Sequence, residues 1–199
     1  MRIDELSLKD VPAGAGLLAR GMRDNPLHAR VFGGDPGRRE RALLRMFQPF
    51  LYQQASRQQL FGAWRDRELM GICGLSPPGG CRVPLDEKLM LLPAILRGAG
   101  VVGAWRVFRW TRAWEKLDPD EPHWHLGPVV VSPDYQGQGM GSALIEEFCR
   151  RVDRHNGVAY LETDKPINAR LYQRFGFEVI AERQVLGVPN WFMLRRATI

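Results

Sequence analysis

Cysteine is scarce in this chain of 199 residues, and its three copies, Cys73, Cys81 and Cys149, cannot all pair. They form no CxxC and no Cys/His cluster with metal-ligand spacing, so neither a disulfide framework nor a bound metal is expected. A reduced, cytoplasmic compartment is the expectation that follows. The first five residues, Met1-Arg2-Ile3-Asp4-Glu5, hold two acids and no apolar stretch, unlike a secretory leader. An uninterrupted apolar run is lacking too. Residues 89–105 come nearest, but Pro93, Gly98, Gly100 and Gly103 interrupt them and Arg97 sits near their middle. A bilayer asks for about 20 apolar residues without such a charge. The stretch therefore reads as a buried or pocket-covering helix pair, and no membrane partner is expected. Repeats, low-complexity tracts and linkers are absent as well. One domain over residues 1–199 is expected, with a helical insertion at about 86–118.

What is present is a globular composition: 45% apolar, 25% charged, and 28 basic against 22 acidic residues for a net charge of +6. That balance suits an anionic cofactor and nucleic acid equally. Glycine (21) and proline (14) are spread between apolar segments, which marks many turns. Pro12 opens a helical pattern through Leu17, Leu18 and Met22 that Asn25-Pro26 ends. A second helix covers residues 37–56, with Leu43, Leu44, Phe47, Phe50 and Leu51 on one stripe. Apolar runs at 60–64 and 69–75 around Arg65-Asp66-Arg67-Glu68 predict a β-hairpin. A strand follows at 123–131, bulged at Gly127-Pro128 because proline cannot donate to a ladder. Leu144, Ile145, Phe148, Cys149 and Val152 share one face of a later helix, which Asn156-Gly157 ends. Residues 158–162 predict a strand, and Pro166 opens a short helix that Gly176 stops. Strands at 178–186 and 191–195 close an α/β chain.

Between the bulged strand and its helix lies Gln136-Gly137-Gln138-Gly139-Met140-Gly141. Strand, glycine-rich turn and helix together bind phosphate. The first turn of a helix leaves N–H groups unpaired, and glycine lets an anion approach them. Charge-assisted hydrogen bonds contribute ~1.5–3 kcal/mol each against ~0.3–1 kcal/mol from the helix dipole, so the amides of residues 137–142 dominate. The expected ligand is a pyrophosphate. A P-loop is excluded, because no lysine lies in or just after the turn. The dinucleotide fingerprint G-x-G-x-x-G/A fits Gly137 and Gly139 but puts Ser142 in third place, and only one further βα unit follows where that fold needs several. Q-x-x-G-x-G fits outright at Gln136, Gly139 and Gly141. Downstream, Asn168 and Tyr172 stand at i and i+4 of the short helix, so an amide and a phenol point the same way.

The run from Val129 to Ser142, together with Leu161-Glu162-Thr163 and Asn168-Ala169-Arg170-Leu171-Tyr172-Gln173-Arg174-Phe175-Gly176-Phe177, resembles the GNAT superfamily of acyl-CoA N-acyltransferases. Within that superfamily the chain is most similar to the puromycin N-acetyltransferase type. The likeness is good from about Trp124 to Arg195 and loose before it. It implies a mixed, mostly antiparallel sheet of six to seven strands flanked by helices, with a helical insertion between strands 3 and 4. It implies transfer of an acetyl group from acetyl-CoA, as cosubstrate, to a primary amine by direct attack.

The same resemblance implies roles for single residues. The cofactor's pyrophosphate would lie on Gln136, Gly137, Gln138, Gly139, Met140, Gly141 and Ser142, and its arm along Val129, Val130 and Val131 beside Asn168. The Val129 N–H would polarise the thioester carbonyl. Tyr172, with an ordinary phenol pKa of ~10, is protonated at neutral pH and would return a proton to the departing thiolate. His125, eleven residues before Gln136, is the candidate base, with Glu162 and Asp24 behind it; Glu162 could instead bond within the strand ends. His123 lies two residues before His125, on the same strand face. The expected acceptor is a small-molecule amine, an amino-nucleoside or similar antibiotic being the lead, with a protein N-terminus or lysine as the other option. No nucleic-acid partner is expected, and a homodimer is the oligomeric option. A non-catalytic CoA-binding sensor or regulatory domain stays open as an alternative, and Tyr172 with the intact glycine turn weighs against it. Arg106, Arg109 and Arg112 read as a solvated basic stripe, or as a contact for the 3′-phosphate of CoA or for nucleic acid. Trp105, Trp110 and Trp114 read as acceptor-pocket wall, as core or as a dimer contact, and Cys149 as core.

Overall fold

The structure is a computed structural model that describes residues 1–80 and 85–197; Cys81 lies outside the described residues. Strands β1 (Arg2–Glu5), β2 (Leu60–Arg65), β3 (Glu68–Ser76) and β4 (Trp124–Val131) pair antiparallel in succession. Strand β5 (Val158–Thr163) joins β4 in parallel, and β7 (Val188–Arg196) lies antiparallel between β5 and β6 (Glu178–Val185). The result is one seven-stranded sheet in the order β1-β2-β3-β4-β5-β7-β6. Among the described residues six α-helices flank it: α1 (Val11–Met22), α2 (Pro26–Phe32), α3 (Pro36–Ser56), α4 (Leu85–Glu115), α5 (Met140–Asp153) and α6 (Pro166–Gln173). The mixed, mostly antiparallel sheet with a helical insertion between β3 and β4 is as expected.

The apolar stripe of α5 explains its place. Leu144, Ile145, Phe148 and Val152 are fully buried, and they pack with Phe61, Cys73 and Leu126 on one face of the sheet. Each such side chain contributes about 1.5–3 kcal/mol on leaving water. Tyr172 of α6 and Phe177 belong to the same cluster. On the opposite face, α1 and α3 bury Leu17, Leu18, Leu43 and Leu51 against Leu60 and Ile72. Helices α2 and α4 bury Leu27, Val31, Val107 and Trp110 against Tyr160, Val185 and Phe192 of β5, β6 and β7.

Three local features depart from the sequence reading. The N-terminal residues form β1 on the edge beside β2. Asn25-Pro26 does not merely stop a helix; Pro26 opens α2. The Leu27 N–H at the head of α2 donates to Asp164 Oδ2 at 2.7 Å. Finally, the insertion is helical but far less buried than expected. It breaks into two halves at Gly100 (φ 67°, ψ −177°), and Val101 and Trp105 are 78% and 56% exposed. By length and composition alone residues 88–115 would suffice to cross a membrane. Their inner face, however, packs on α2 and α3, where Gly98 lies against Ala42.

Candidate active site

Strands β4 and β5 pair only at Trp124↔Ala159 and His125↔Tyr160 and then part, opening a wedge in the middle of the sheet. The expected bulge is what separates them. Cys73 and Leu75 of β3 face Val129 and Leu126, so Gly74 alone stands opposite Gly127 and Pro128, whose peptide bond is cis. A Cβ on Gly74 would lie 2.4 Å from the Gly127 carbonyl oxygen, so only glycine permits this approach. Past the bulge, the Ser132 N–H donates to the Met70 carbonyl of β3 at 2.7 Å. Main-chain groups alternate sides along a strand, so Val130 turns its own toward β3, while Val129 and Val131 turn theirs into the wedge. Val130 thus turns its main chain away from the wedge, while its side chain packs toward Gly21 of α1 and lines the cleft that opens there.

A cleft of about 760 Å³ runs from this strand edge to the glycine turn and is lined by Val129, Val131, Gly137, Gly139, Gly141 and Ser142 among others. Gly137 (φ 75°) and Gly139 (φ 83°) hold left-handed conformations that place the turn at the head of α5, with Gly139 as its N-cap. Those conformations favour glycine. The Gln136 Nε2 donates to the Val131 carbonyl at 3.2 Å, which ties the turn to β4. Gln136 and Met140 also line the cleft. Gln138 does not; its amide bonds back to the Asp134 carbonyl at 3.4 Å. Across the cleft, α6 contributes Asn168 and Tyr172, and Lys165, Arg170 and Arg174 add positive charge to its wall. These three cations, rather than Arg106, Arg109 and Arg112, are the ones near the turn. Arg106 bonds the Arg30 carbonyl and Arg109 lies over the Trp105 ring. An anionic, amide-bearing cofactor therefore meets N–H donors at the turn, cations on the far wall, and an open strand edge.

A second cavity, of about 290 Å³, lies on the other side of the β4 edge. Phe47, Phe50, Trp110 and Trp114 give it an aromatic wall, and Arg57, His125, Glu162 and Asp164 give it charge of both signs. Met22, Asn25, Val129, Asn168 and Tyr172 line both spaces, so the two meet there. Asn25 precedes α2, which Asp164 caps from the β5–α6 turn. Trp105 is exposed and takes no part, and of the three tryptophans singled out in the sequence only Trp110 and Trp114 reach the cavity.

His125 Nε2 lies 2.7 Å from Glu162 Oε2. Burial alone lowers the imidazole pKa, but the Glu162 charge and hydrogen bond, helped by Asp118, more than offset it and leave the value raised. Glu162 thus pairs with His125 at the strand ends. Burial pushes the Tyr172 phenol well above its ordinary range, with Cys73 adding to the effect, so Tyr172 holds its proton at neutral pH. Asp24 is removed from the site. It pairs with Arg39 at 2.7 Å on a mostly exposed face. His123 lies before β4, near Asp118 at 3.1 Å, and outside the lining of both spaces. Cys149 is core, its thiol pushed up to about 11 by burial. Several lining residues escape the sequence reading, among them Asn25, His28, Gln54 and Asp164. No spacing signals them, because they reach the cavity from three separate places: the head of α2, α3 and the turn after β5. Among the described residues, no group of His, Cys, Asp and Glu has the arrangement to hold a metal ion.

The chain matches the acetyltransferase (GNAT) family over residues 32–177. Over 64 residues, 30% of this chain, it is 39% identical to the L-methionine sulfoximine/L-methionine sulfone acetyltransferase of Salmonella typhimurium and covers 37% of that protein. The chain spans less than two fifths of the length of the curated relatives it matches. In fold it is similar to a Corynebacterium glutamicum structure described as histone acetyltransferase HPA2 and related acetyltransferase, at a TM-score of 0.72 and 21% identity over 99% of this chain and 96% of that one. The Drosophila melanogaster polyamine N acetyltransferase gives a TM-score of 0.69 at 14% identity, with 98% of this chain and 99% of that one covered. The family match runs through the bulged strand, the glycine turn and the helix bearing Tyr172, and on that ground this chain belongs to the acetyltransferase (GNAT) family.

Proposed function

We propose that the protein moves an acetyl group from acetyl-CoA to the primary amine of a small molecule, both substrates being bound together. One observation carries this reading: Val129 and Tyr172 line the cofactor cleft and the second cavity alike. Bound acetyl-CoA supplies an acyl group on a thiol leaving group. The chain supplies everything else. The amides of residues 137–142 and the cations of α6 hold the phosphates, and Val129 and Val131 offer strand edge to the arm. The Val129 N–H points where a carbonyl oxygen gains charge. The carboxylates of Glu162 and Asp164 favour entry of an ammonium ion, and His125 takes its proton, directly or through a water, so that the nitrogen lone pair is free to attack. The carbon–sulfur bond then breaks and Tyr172 gives its proton to the sulfur; the positively charged nitrogen of the product sheds its extra proton to water, from which the phenol regains its own. The acid and the base thus stand on opposite sides of the reacting carbon, which suits direct transfer.

A cavity of about 290 Å³ walled by aromatic rings is of the size that takes a small molecule. That supports a small amine over a protein tail. Thiol release from acetyl-CoA, measured over a panel of amines, tests the reading. Release that depends on an amine is expected; binding of acetyl-CoA with no release over the panel would leave a CoA-binding regulatory domain instead.

A further inference from the structure

Two residues in the wall of the acceptor cavity carry buried polar atoms with nothing to bond. Gln54 of α3 and Trp110 of α4 are 7% and 8% exposed, and Gln54 Oε1 and Trp110 Nε1 are buried without a hydrogen-bond partner. Both residues line this same cavity. Buried polar groups are paired as a rule, and the neighbours of these two follow it. Trp114 Nε1 donates to Asn190 Oδ1 at 3.1 Å, His28 Nδ1 lies 3.0 Å from the Met22 carbonyl, and Asp164 accepts from the Leu27 N–H. An unpaired amide oxygen and an unpaired indole N–H on one cavity, from two separate helices, mark the place of a missing ligand group.

We infer that the acceptor amine carries, away from its reacting nitrogen, a hydroxyl on an aromatic body, and that Gln54 and Trp110 read that hydroxyl. This rests on the acetyl-transfer reading above. A hydroxyl donates and accepts through one atom, which matches in kind the acceptor on Gln54 and the donor on Trp110. A methyl group satisfies neither partner, and a second ammonium cannot accept from the indole. A carboxylate cannot donate to the amide oxygen. The terminal amide torsion of glutamine is soft, so its oxygen can turn to the ligand. Trp110 is fixed by edge contacts with His28 and Trp114, at ring-centre distances of 5.3 and 5.1 Å. Phe47 and Phe50 offer the apolar wall on which an aromatic body would lie.

Tyramine and phenethylamine, which differ by one phenolic hydroxyl, test this. Their binding to the CoA-saturated protein is measured by calorimetry, and their kcat/KM with acetyl-CoA by thiol release, for the wild type, Gln54→Leu and Trp110→Phe. A site that bonds a hydroxyl rejects the analogue lacking it, so tyramine should be preferred by at least about tenfold in both measurements. Each substitution should cut that preference to below about threefold by weakening tyramine. Acetyl-CoA affinity, unchanged within about twofold, shows that the fold is kept, because neither residue lines the cofactor cleft. Equal handling of both amines by the wild type, or a preference that survives both substitutions, overturns the inference. Thiol release with no preference defeats the hydroxyl and spares acetyl transfer. Tyramine preferred in binding with no thiol release does the reverse.

Discussion

The two spaces that meet at Tyr172 are built in opposite ways. The cofactor cleft is mostly main chain: amides of a glycine turn at the head of α5 and the open edge of β4, contiguous over residues 129–142. The acceptor cavity is mostly side chain, collected from α1, α2, α3, α4, β4, β5 and α6. A ligand whose phosphates and amide-bearing arm do not change can be held by backbone geometry, and that geometry tolerates few substitutions but demands little of side chains. An acceptor that varies between relatives must be read by side chains on elements that are free to vary. The contrast says that damage to the first space should abolish binding of one ligand, and damage to the second should change which ligand is chosen.

Substitutions at the junction and in each space can sharpen or break that contrast. The largest effect is expected at the junction. Tyr172→Phe removes the proton donor while keeping the ring, so steady-state kcat should fall about 10²- to 10⁴-fold with little change in the KM for acetyl-CoA; an undiminished kcat would remove Tyr172 from the acid role. Next comes the cofactor cleft. Gly139→Val forces a β-branched residue into a left-handed conformation, at a cost of about 1–3 kcal/mol. Calorimetry should show acetyl-CoA binding weakened by about ten- to a hundredfold, and an unaltered affinity would mean that the turn does not hold the cofactor.

The two remaining predictions concern the acceptor side alone. His125 must be neutral to take a proton, and Glu162 favours its charged form, so the acid limb of kcat/KM should fall at a pH above the ordinary histidine value of ~6.5. Glu162→Gln removes the larger raising charge and leaves burial, which lowers the value, opposed by Asp118 alone, so the limb should move to lower pH. A pH profile that does not move would exclude the pair from the chemistry. Asp164→Ala strips the cap from α2, which should cost about 0.5–2 kcal/mol of stability by denaturant titration. It should raise the KM for the amine and spare acetyl-CoA affinity, because Asp164 lines only the acceptor cavity.

Legibility in the sequence follows the same division. The bulge at Gly127-Pro128, the turn at residues 136–141 and the Asn168/Tyr172 pair were readable because each is a local pattern with a local physical cause. Lys165, Arg170 and Arg174 sit in or beside the same short helix, yet their charge matters only once α6 faces the turn. The head of α2 was not readable at all. Pro26 looks like a helix stop, and the group that caps the new helix is Asp164, 137 residues away from the Leu27 N–H it accepts. Asp24 was plausible as a base until Arg39, itself buried, proved to hold it. Strand β1 has two acids in four residues and gains its structure only from the edge of β2. Trp105, Trp110 and Trp114 form one cluster in sequence, but the helix turns the first to solvent and the other two to the cavity.

The most direct test is a crystal structure of the protein grown with acetyl-CoA. The diphosphate should rest on the amides of residues 137–142, with the thioester oxygen within hydrogen-bonding distance, about 3 Å, of the Val129 nitrogen and the sulfur beside the Tyr172 hydroxyl. A diphosphate bound elsewhere, or a thioester turned away from the cavity of Glu162 and His125, would contradict the proposed chemistry.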